Sequence, residues 1–251
     1  MKNLINNFFS LFGYRFKKIT SEHFLNPHNF SFSLDKFLKK YKINLVLVIG
    51  AHDGKFYRSL LKSNYRSKTI SFEPSFSNFK KLKNMNEEND HHKIINIGFG
   101  KKNSKKLLTI TRPEGDTNTL SDITTFMRKL NKKKLNKKFE LVNIKNPLDY
   151  FSKNIRFNNR VLLKIDASGY DFIILKCLKN KIQNFDGIIV DACIDEKDKL
   201  YKIDTTMDKF ISFMNKSKFK LYHINTEKID TETGRLVRTE LFFVRNDLIK
   251  F

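Results

Sequence analysis

Three acids each close a run of residues suited to a buried strand. Glu73 follows Thr69-Ile70-Ser71-Phe72, Asp166 follows Val161-Leu162-Leu163-Lys164-Ile165, and Asp191 follows Gly187-Ile188-Ile189-Val190. In open α/β sheets, ligands lie beyond the carboxyl ends of the strands. A carboxylate standing there can accept hydrogen bonds from ligand hydroxyls. A fourth run, Leu45-Val46-Leu47-Val48-Ile49, ends instead in Gly50-Ala51-His52-Asp53-Gly54. Two glycines let the backbone turn sharply and approach a ligand with no Cβ in the way. Glu73 comes about twenty residues later, where a ribose-binding acid is expected. Pro74, with no N–H to donate, stops its strand there. Strand, glycine turn, helix and acid together read as a nucleotide-binding βαβ unit. The alternative is an ordinary buried turn followed by a surface glutamate.

The elements that must position these residues follow in order. Ser33 to Lys40 reads as a short helix. Phe56, Leu60 and Leu61 have helical spacing after the glycine turn, as do Phe76, Phe79 and Leu82 after Glu73. Lys93 to Ile97 reads as a third strand, closed by Gly98 and Gly100. Leu107 to Thr111 and Phe139 to Ile144 read as strands, with a polar loop (Glu114 to Asp122) and a basic block (Arg128 to Lys138) between them. That block suggests a solvated helix, a mobile loop or a lid. A helix begins at Pro147. The α/β alternation then resumes with strands at Arg160–Asp166, Gly187–Asp191, Phe219–Ile224 and Glu240–Arg245, and helices after Gly169 and at Thr205–Asn215. Such alternation points to a mostly parallel sheet covered on both faces. The last strand follows a short polar turn, Asp230 to Gly234, so it is expected to be antiparallel.

The chain has 251 residues, 40% of them hydrophobic, enough for one large domain. Residues 1–40 read as a basic amphipathic helical extension and 41–251 as the main domain. Phe8, Phe9 and Phe12, with Lys2, Arg15, Lys17 and Lys18, suit peripheral contact of residues 1–20 with an anionic membrane, or packing on the domain edge. The net charge of +23 attracts polyanions or keeps the protein soluble. Cys177 and Cys193 lack metal-ligand spacing and read as buried free thiols of a reducing compartment. No metal is called for. With no membrane-length apolar run and no signal-peptide pattern, the expected location is the cytoplasm, with the inner membrane face as a possible docking place.

Several segments together resemble the FkbM-type S-adenosylmethionine-dependent methyltransferases, from about residue 44 to 246. Val48-Ile49-Gly50-Ala51-His52-Asp53-Gly54 resembles the family's first motif, Asp-Val-Gly-Ala-Asn-x-Gly. Ser71-Phe72-Glu73-Pro74 matches its ribose-binding strand end, and Asn96-Ile97-Gly98-Phe99-Gly100 resembles the segment after its third strand. Leu163-Lys164-Ile165-Asp166-Ala167-Ser168-Gly169-Tyr170-Asp171 resembles Lys-Ile-Asp-x-x-Gly-x-Glu. Thr239 to Arg245 fits its closing strand. The resemblance implies a Rossmann-like class I methyltransferase fold: an α/β architecture with a mostly parallel seven-stranded sheet, helices on both faces and one antiparallel strand. It implies S-adenosyl-L-methionine as cofactor, held by Gly50, Ala51, His52, Gly54, Glu73, Pro74 and Gly98. It implies methylation of an oxygen, commonly on a glycan, polysaccharide or natural-product precursor. Gly50-x-x-x-Gly54 also suits a mononucleoside better than the pyrophosphate arrangement G-x-G-x-x-G. Two positions depart from the family pattern. Val48 stands where its Asp organises the methionine end of the cofactor, and His52 replaces its Asn.

With the strand ending at Asp166 placed beside the first strand, as that fold implies, Asp166 becomes the expected base for a sugar hydroxyl, or a cap for the next helix. His52, Asp191 and His223 are alternatives for the catalytic role. The acceptor is expected to be a glycan or small molecule bound partly by the 98–160 stretch. One rival is a nucleic-acid methyltransferase, favoured by the charge. Against it, Asp166-Ala167-Ser168-Gly169 stands where base-amine methyltransferases carry Asn/Asp-Pro-Pro-aromatic. A catalytically inactive methyltransferase-fold protein is the other rival, raised by Val48 and His52.

Overall fold

The computed structural model describes residues 29–85, 90–110, 118–125, 138–157 and 160–249. Residues 1–20, and all but the last residue of the basic block, lie outside them. The chain begins with α1 (Phe30–Lys40), started by Asn29, whose side chain accepts the Ser31 N–H at 3.0 Å. It continues through β1 (Leu45–Ile49), α2 (Lys55–Lys62), β2 (Lys68–Phe72), α3 (Phe76–Asn84), β3 (His92–Ile95) and β4 (Gly98–Phe99). Next come β5 (Ser104–Ile110), β6 (Lys138–Lys145), α4 (Pro147–Asn154), β7 (Val161–Ile165) and α5 (Asp171–Leu178). The last elements are β8 (Gly187–Cys193), α6 (Met207–Lys216), β9 (Phe219–Ile229) and β10 (Leu236–Arg245).

Seven strands form the main sheet in the order β3-β2-β1-β7-β8-β10-β9. All its pairings are parallel except those of β10, which is antiparallel to both β8 and β9. This is the expected Rossmann-like arrangement with one antiparallel strand. β1 and β7 are buried along their whole length, which is why both read as unbroken aliphatic runs. Leu47, Ile49, Leu163 and Ile165 face one core, which Phe151, Ile174 and Phe210 of α4, α5 and α6 close. Val46, Val48 and Leu162 face the other, closed by Leu34 and Phe37 of α1, Leu60 of α2 and Leu82 of α3. The order reverses between β1 and β7, opening a crevice at their carboxyl ends.

Several strand boundaries differ from the sequence reading: β8 runs on past Asp191 to Cys193, so that acid lies inside the strand, and β5 starts at Ser104. β3 leaves the main sheet at Ile95, and Gly98–Phe99 joins a second sheet, β4-β6-β5, that stands over the first. A Cβ on Gly98 would lie 2.9 Å from Ile144 Cδ1 and 3.2 Å from Pro74 Cβ, so the glycine allows that crossing. β9 runs on to Ile229 and β10 starts at Leu236, because the polar residues between are paired across the hairpin, Thr226 with Thr239 and Lys228 with Arg238. The polar turn forms as expected, with Asp230 accepting the N–H groups of Glu232 and Gly234. Among the described residues no helix is long and apolar enough to cross a membrane.

Candidate active site

After Ile49 the chain turns at once. Gly50 adopts φ +77°. Its N–H and that of Ala51 donate to the Phe72 carbonyl at 2.9 and 3.1 Å, tying the turn to the end of β2. A Cβ on Gly50 would stand 1.8 Å from the Asp166 carbonyl oxygen, so only glycine lets the ends of β1 and β7 meet this way. His52 (φ +48°) and Ser168 (φ +48°), in the loops after β1 and β7, are left-handed without being glycine. Such backbone costs about 1–2 kcal/mol per residue and collects at functional sites.

Both residues border one cavity of about 790 Å³, within the usual range for small-molecule sites. Gly50, Ala51, His52, Glu73, Pro74, Gly98, Asp166 and Asp191 all line it. Gly54 does not. It shapes the turn into α2 at φ +82°, and a Cβ there would press on Leu82 at 2.8 Å. His223 also lies elsewhere. It pairs with Phe242 in β10, its Nδ1 is 2.9 Å from Ser33 Oγ of α1, and its ring packs edge-on to Phe30.

Glu73 sits in the cavity wall, 5% exposed. One carboxylate oxygen accepts the His52 N–H at 2.8 Å and the other the Ser75 N–H at 2.9 Å. The same acid therefore holds the first turn and the start of α3, and with Asn78 as a third donor the carboxylate still has acceptor capacity for a ligand hydroxyl. Burial pushes Glu73 up to about 7, against the downward pull of these N–H groups. The His52 ring lies 3.3 Å from Asp53, which is itself bound to Arg58 at 2.8 Å.

Asp166, just past the end of β7, reaches the cavity floor. Its side chain is 51% accessible, toward the cavity. It does not cap α5. Asp171 instead accepts the Ala167 N–H, at 3.3 and 3.4 Å. Loss of bulk solvent raises the Asp166 carboxyl well above its ordinary value, Asp191 adds to the effect, and Lys164 opposes it.

Lys164 is the residue that sequence reasoning passed over. It is 3% exposed, and its Nζ lies 2.8 Å from Asp191, 2.7 Å from Glu240 and 3.9 Å from Asp166. Burial alone would lower its pKa, but the three carboxylates hold it well above the ordinary value. One charged residue inside a fully buried strand was the available signal. Asn225, Glu227 and Arg238 of the β9–β10 hairpin also line the cavity, with Leu108, Asn118, Thr119 and Leu120 from the 98–160 stretch. Arg238 is held by Asp204 at 2.9 Å.

These groups fit a nucleoside that carries a positive charge. Glu73 offers acceptors for ribose hydroxyls, and Asp166, Asp191, Glu227 and Glu240 give one wall an acidic character. Val48, 2% exposed, adds a wall without a hydrogen bond.

A family model described as Methyltransferase FkbM domain matches residues 49–221. No curated protein matches the chain. Among solved structures, the methyltransferase domain of bacterial CtHen1 aligns over 86% of this chain and 96% of its own, with 10% identity and a TM-score of 0.49. The plantazolicin methyltransferase BamL, solved in complex with a triazolic desmethylPZN analog and SAH, aligns over 90% and 89%, with 9% identity and a TM-score of 0.47. M. capricolum TrmK, in complex with S-adenosylhomocysteine, aligns over 84% and 68%, with 10% identity and a TM-score of 0.46. The matched span of the family model runs from the end of β1 into β9 and takes in the glycine turn, Glu73 and the Lys164-Ile165-Asp166 segment, so the chain belongs to the FkbM methyltransferase family and is an S-adenosylmethionine-dependent methyltransferase.

Proposed function

We propose that this enzyme methylates a hydroxyl of a sugar, in a glycan, polysaccharide or natural-product precursor, in the cytoplasm. The acidic cavity carries this reading. Six acids and four bases line it, in a chain whose net charge is +23. Such a lining has no excess of positive charge to draw phosphate, and its carboxyls accept hydrogen bonds from hydroxyls. The catalytic domain in this reading is 41–251. The preceding extension contributes Phe30 and Ser31 to the cavity.

Bound S-adenosylmethionine supplies a methyl group on a cationic sulfur, ready for in-line displacement. Glu73 orients the ribose, and the backbone at Gly50, Ala51 and Gly98 lets the nucleoside lie close. Asp166, which reaches the cavity, accepts the acceptor's hydroxyl proton as the new C–O bond forms. Asp191 is committed to Lys164 and is the less available base. His52, beside Asp53, is the alternative.

The test is incubation with methyl-labelled cofactor and separate panels of saccharides and RNA. Label on a saccharide oxygen is the expected result. Label in RNA alone would overturn the reading and favour the nucleic-acid alternative, which the overall charge supports. Cofactor binding without transfer to any acceptor would favour the inactive relative that Val48 suggests.

A further inference from the structure

β5 and β6 expose three large apolar side chains on one face. Leu107, Phe139 and Leu141 are 61%, 61% and 60% accessible. Leu107 pairs directly with Leu141, and Thr109 with Phe139. Alternate residues of a strand share a face. The three therefore stand together on the outer side, while Leu108, Val142 and Ile144 pack into their own cluster on the inner side. Lys105 and Lys145 share the outer face and are exposed.

Contiguous exposed apolar side chains mark an interaction surface. The lysine frame selects the occupant. A second copy of this chain would bring like charges together across a two-fold contact, each copy carrying +23. Nucleic acid would satisfy the lysines but leave the leucines in a polar setting. A bilayer with anionic headgroups satisfies both sets at once. We propose that the outer face of the β5–β6 pair docks on an anionic membrane, with Leu107, Phe139 and Leu141 entering the interface. The inner side of this sheet borders the cavity through Leu108 and β4. Glu140 ties it to the site by accepting from Ser75 Oγ at 3.1 Å and the Phe76 N–H at 2.6 Å. Docking therefore brings the cavity close to the membrane surface, where an acceptor sugar on a lipid anchor would lie. That last step rests on the saccharide reading; the docking does not.

The chain has no tryptophan, so Leu141→Trp places a single reporter on the face. With vesicles of phosphatidylglycerol and phosphatidylcholine, its emission is expected to shift to the blue and to be shielded from an aqueous quencher. Vesicles of phosphatidylcholine alone should leave it unchanged. In the full chain, combining Leu107→Ser, Phe139→Ser and Leu141→Ser should weaken binding to the anionic vesicles at least tenfold, with the melting temperature retained. Absence of anionic-vesicle binding would overturn the proposal. So would a tryptophan that stays in water while the protein sediments with vesicles, since another part of the chain then binds. A triple variant that binds like the parent, or a dimer that the triple variant dissolves, would overturn it too. No readout uses a methyl acceptor, so failure here and failure of the saccharide assay are separate results.

Discussion

Lys164 carries one charge and has three carboxylates within 4 Å, and how that charge is shared decides what Asp166 does. The two short contacts go to Asp191 and Glu240, so Asp166 keeps the weakest hold on the ammonium. Asp191, Asp171 and Glu227 also face Asp166 as like charges, with Tyr201 close by. Replacing Glu240 by Gln removes one negative charge and turns Lys164 toward Asp166. Both changes favour the ionised form of Asp166, so its pKa should fall. Carbon-13 NMR titration of labelled aspartates, with Asp166→Asn as the assignment control, reads this directly. An unmoved titration would mean that Lys164 does not govern Asp166. Asp166→Asn should also lower kcat by roughly 10²–10⁴-fold on the true acceptor while cofactor affinity in calorimetry stays nearly constant. Wild-type turnover in that variant would move the base elsewhere. The three acids were legible in the sequence because each closes an apolar run. Lys164 appeared only as a letter of a motif. Its partnership with Glu240 depends on the register that sets Asp191 opposite Glu240, and no local pattern states that register.

The glycine turn between β1 and α2 is the element that fixes the cavity. It holds the end of β2 through Phe72 and touches the end of β7 through Asp166. Gly50→Ala forces a side chain into left-handed backbone, at about 1–2 kcal/mol, and drives its Cβ into the Asp166 carbonyl. For a chain of this size that cost alone lowers the melting temperature by about 2–8 °C, and the clash adds to it. The rise in melting temperature on adding S-adenosylmethionine should also disappear. Unchanged melting and an unchanged cofactor response would mean that the turn tolerates a Cβ and does not set the site. This turn was readable from two glycines after five aliphatics, and both faces of β1 and β7 were readable from the same kind of run. The second sheet was not. β5 and β6 were recognisable as strands, but β4 is two residues long and joins them through the close approach of Gly98 to Ile144 and Pro74. The far halves of β9 and β10 alternate polar residues such as Glu227 and Arg238, and only their pairing across the hairpin marks them as strand.

Across the whole molecule a strongly basic chain encloses an acidic cavity, and that contrast has a pH signature. Glu73 and Asp171 are each raised to about 7, in both cases first by burial. A carboxyl raised in the folded state binds its proton more tightly there than in the unfolded chain. Its contribution to stability is complete below the unfolded pKa and is lost as pH climbs through the folded one. His92 works in the opposite direction. Burial lowers it from 6.5 to about 4, so stability rises with pH across that interval and the effect fades only above pH 6.5, as the unfolded imidazole loses its proton; His223, also lowered by burial, acts in the same direction. Between about pH 6.5 and 8 the raised carboxyls outweigh the histidines, and the ligand-free protein should lose melting temperature. The same ionisation leaves the cavity with more negative charge. A cationic sulfonium relieves that charge, and the neutral thioether of S-adenosylhomocysteine does not. The stabilisation given by S-adenosylmethionine should accordingly grow relative to that given by S-adenosylhomocysteine over this pH range. Differential scanning fluorimetry with each ligand at matched saturation measures the difference. Parallel curves for the two ligands would show that Asp166, Asp191 and Glu240 do not sense the sulfur, and would place the cofactor's charged end elsewhere in the cavity.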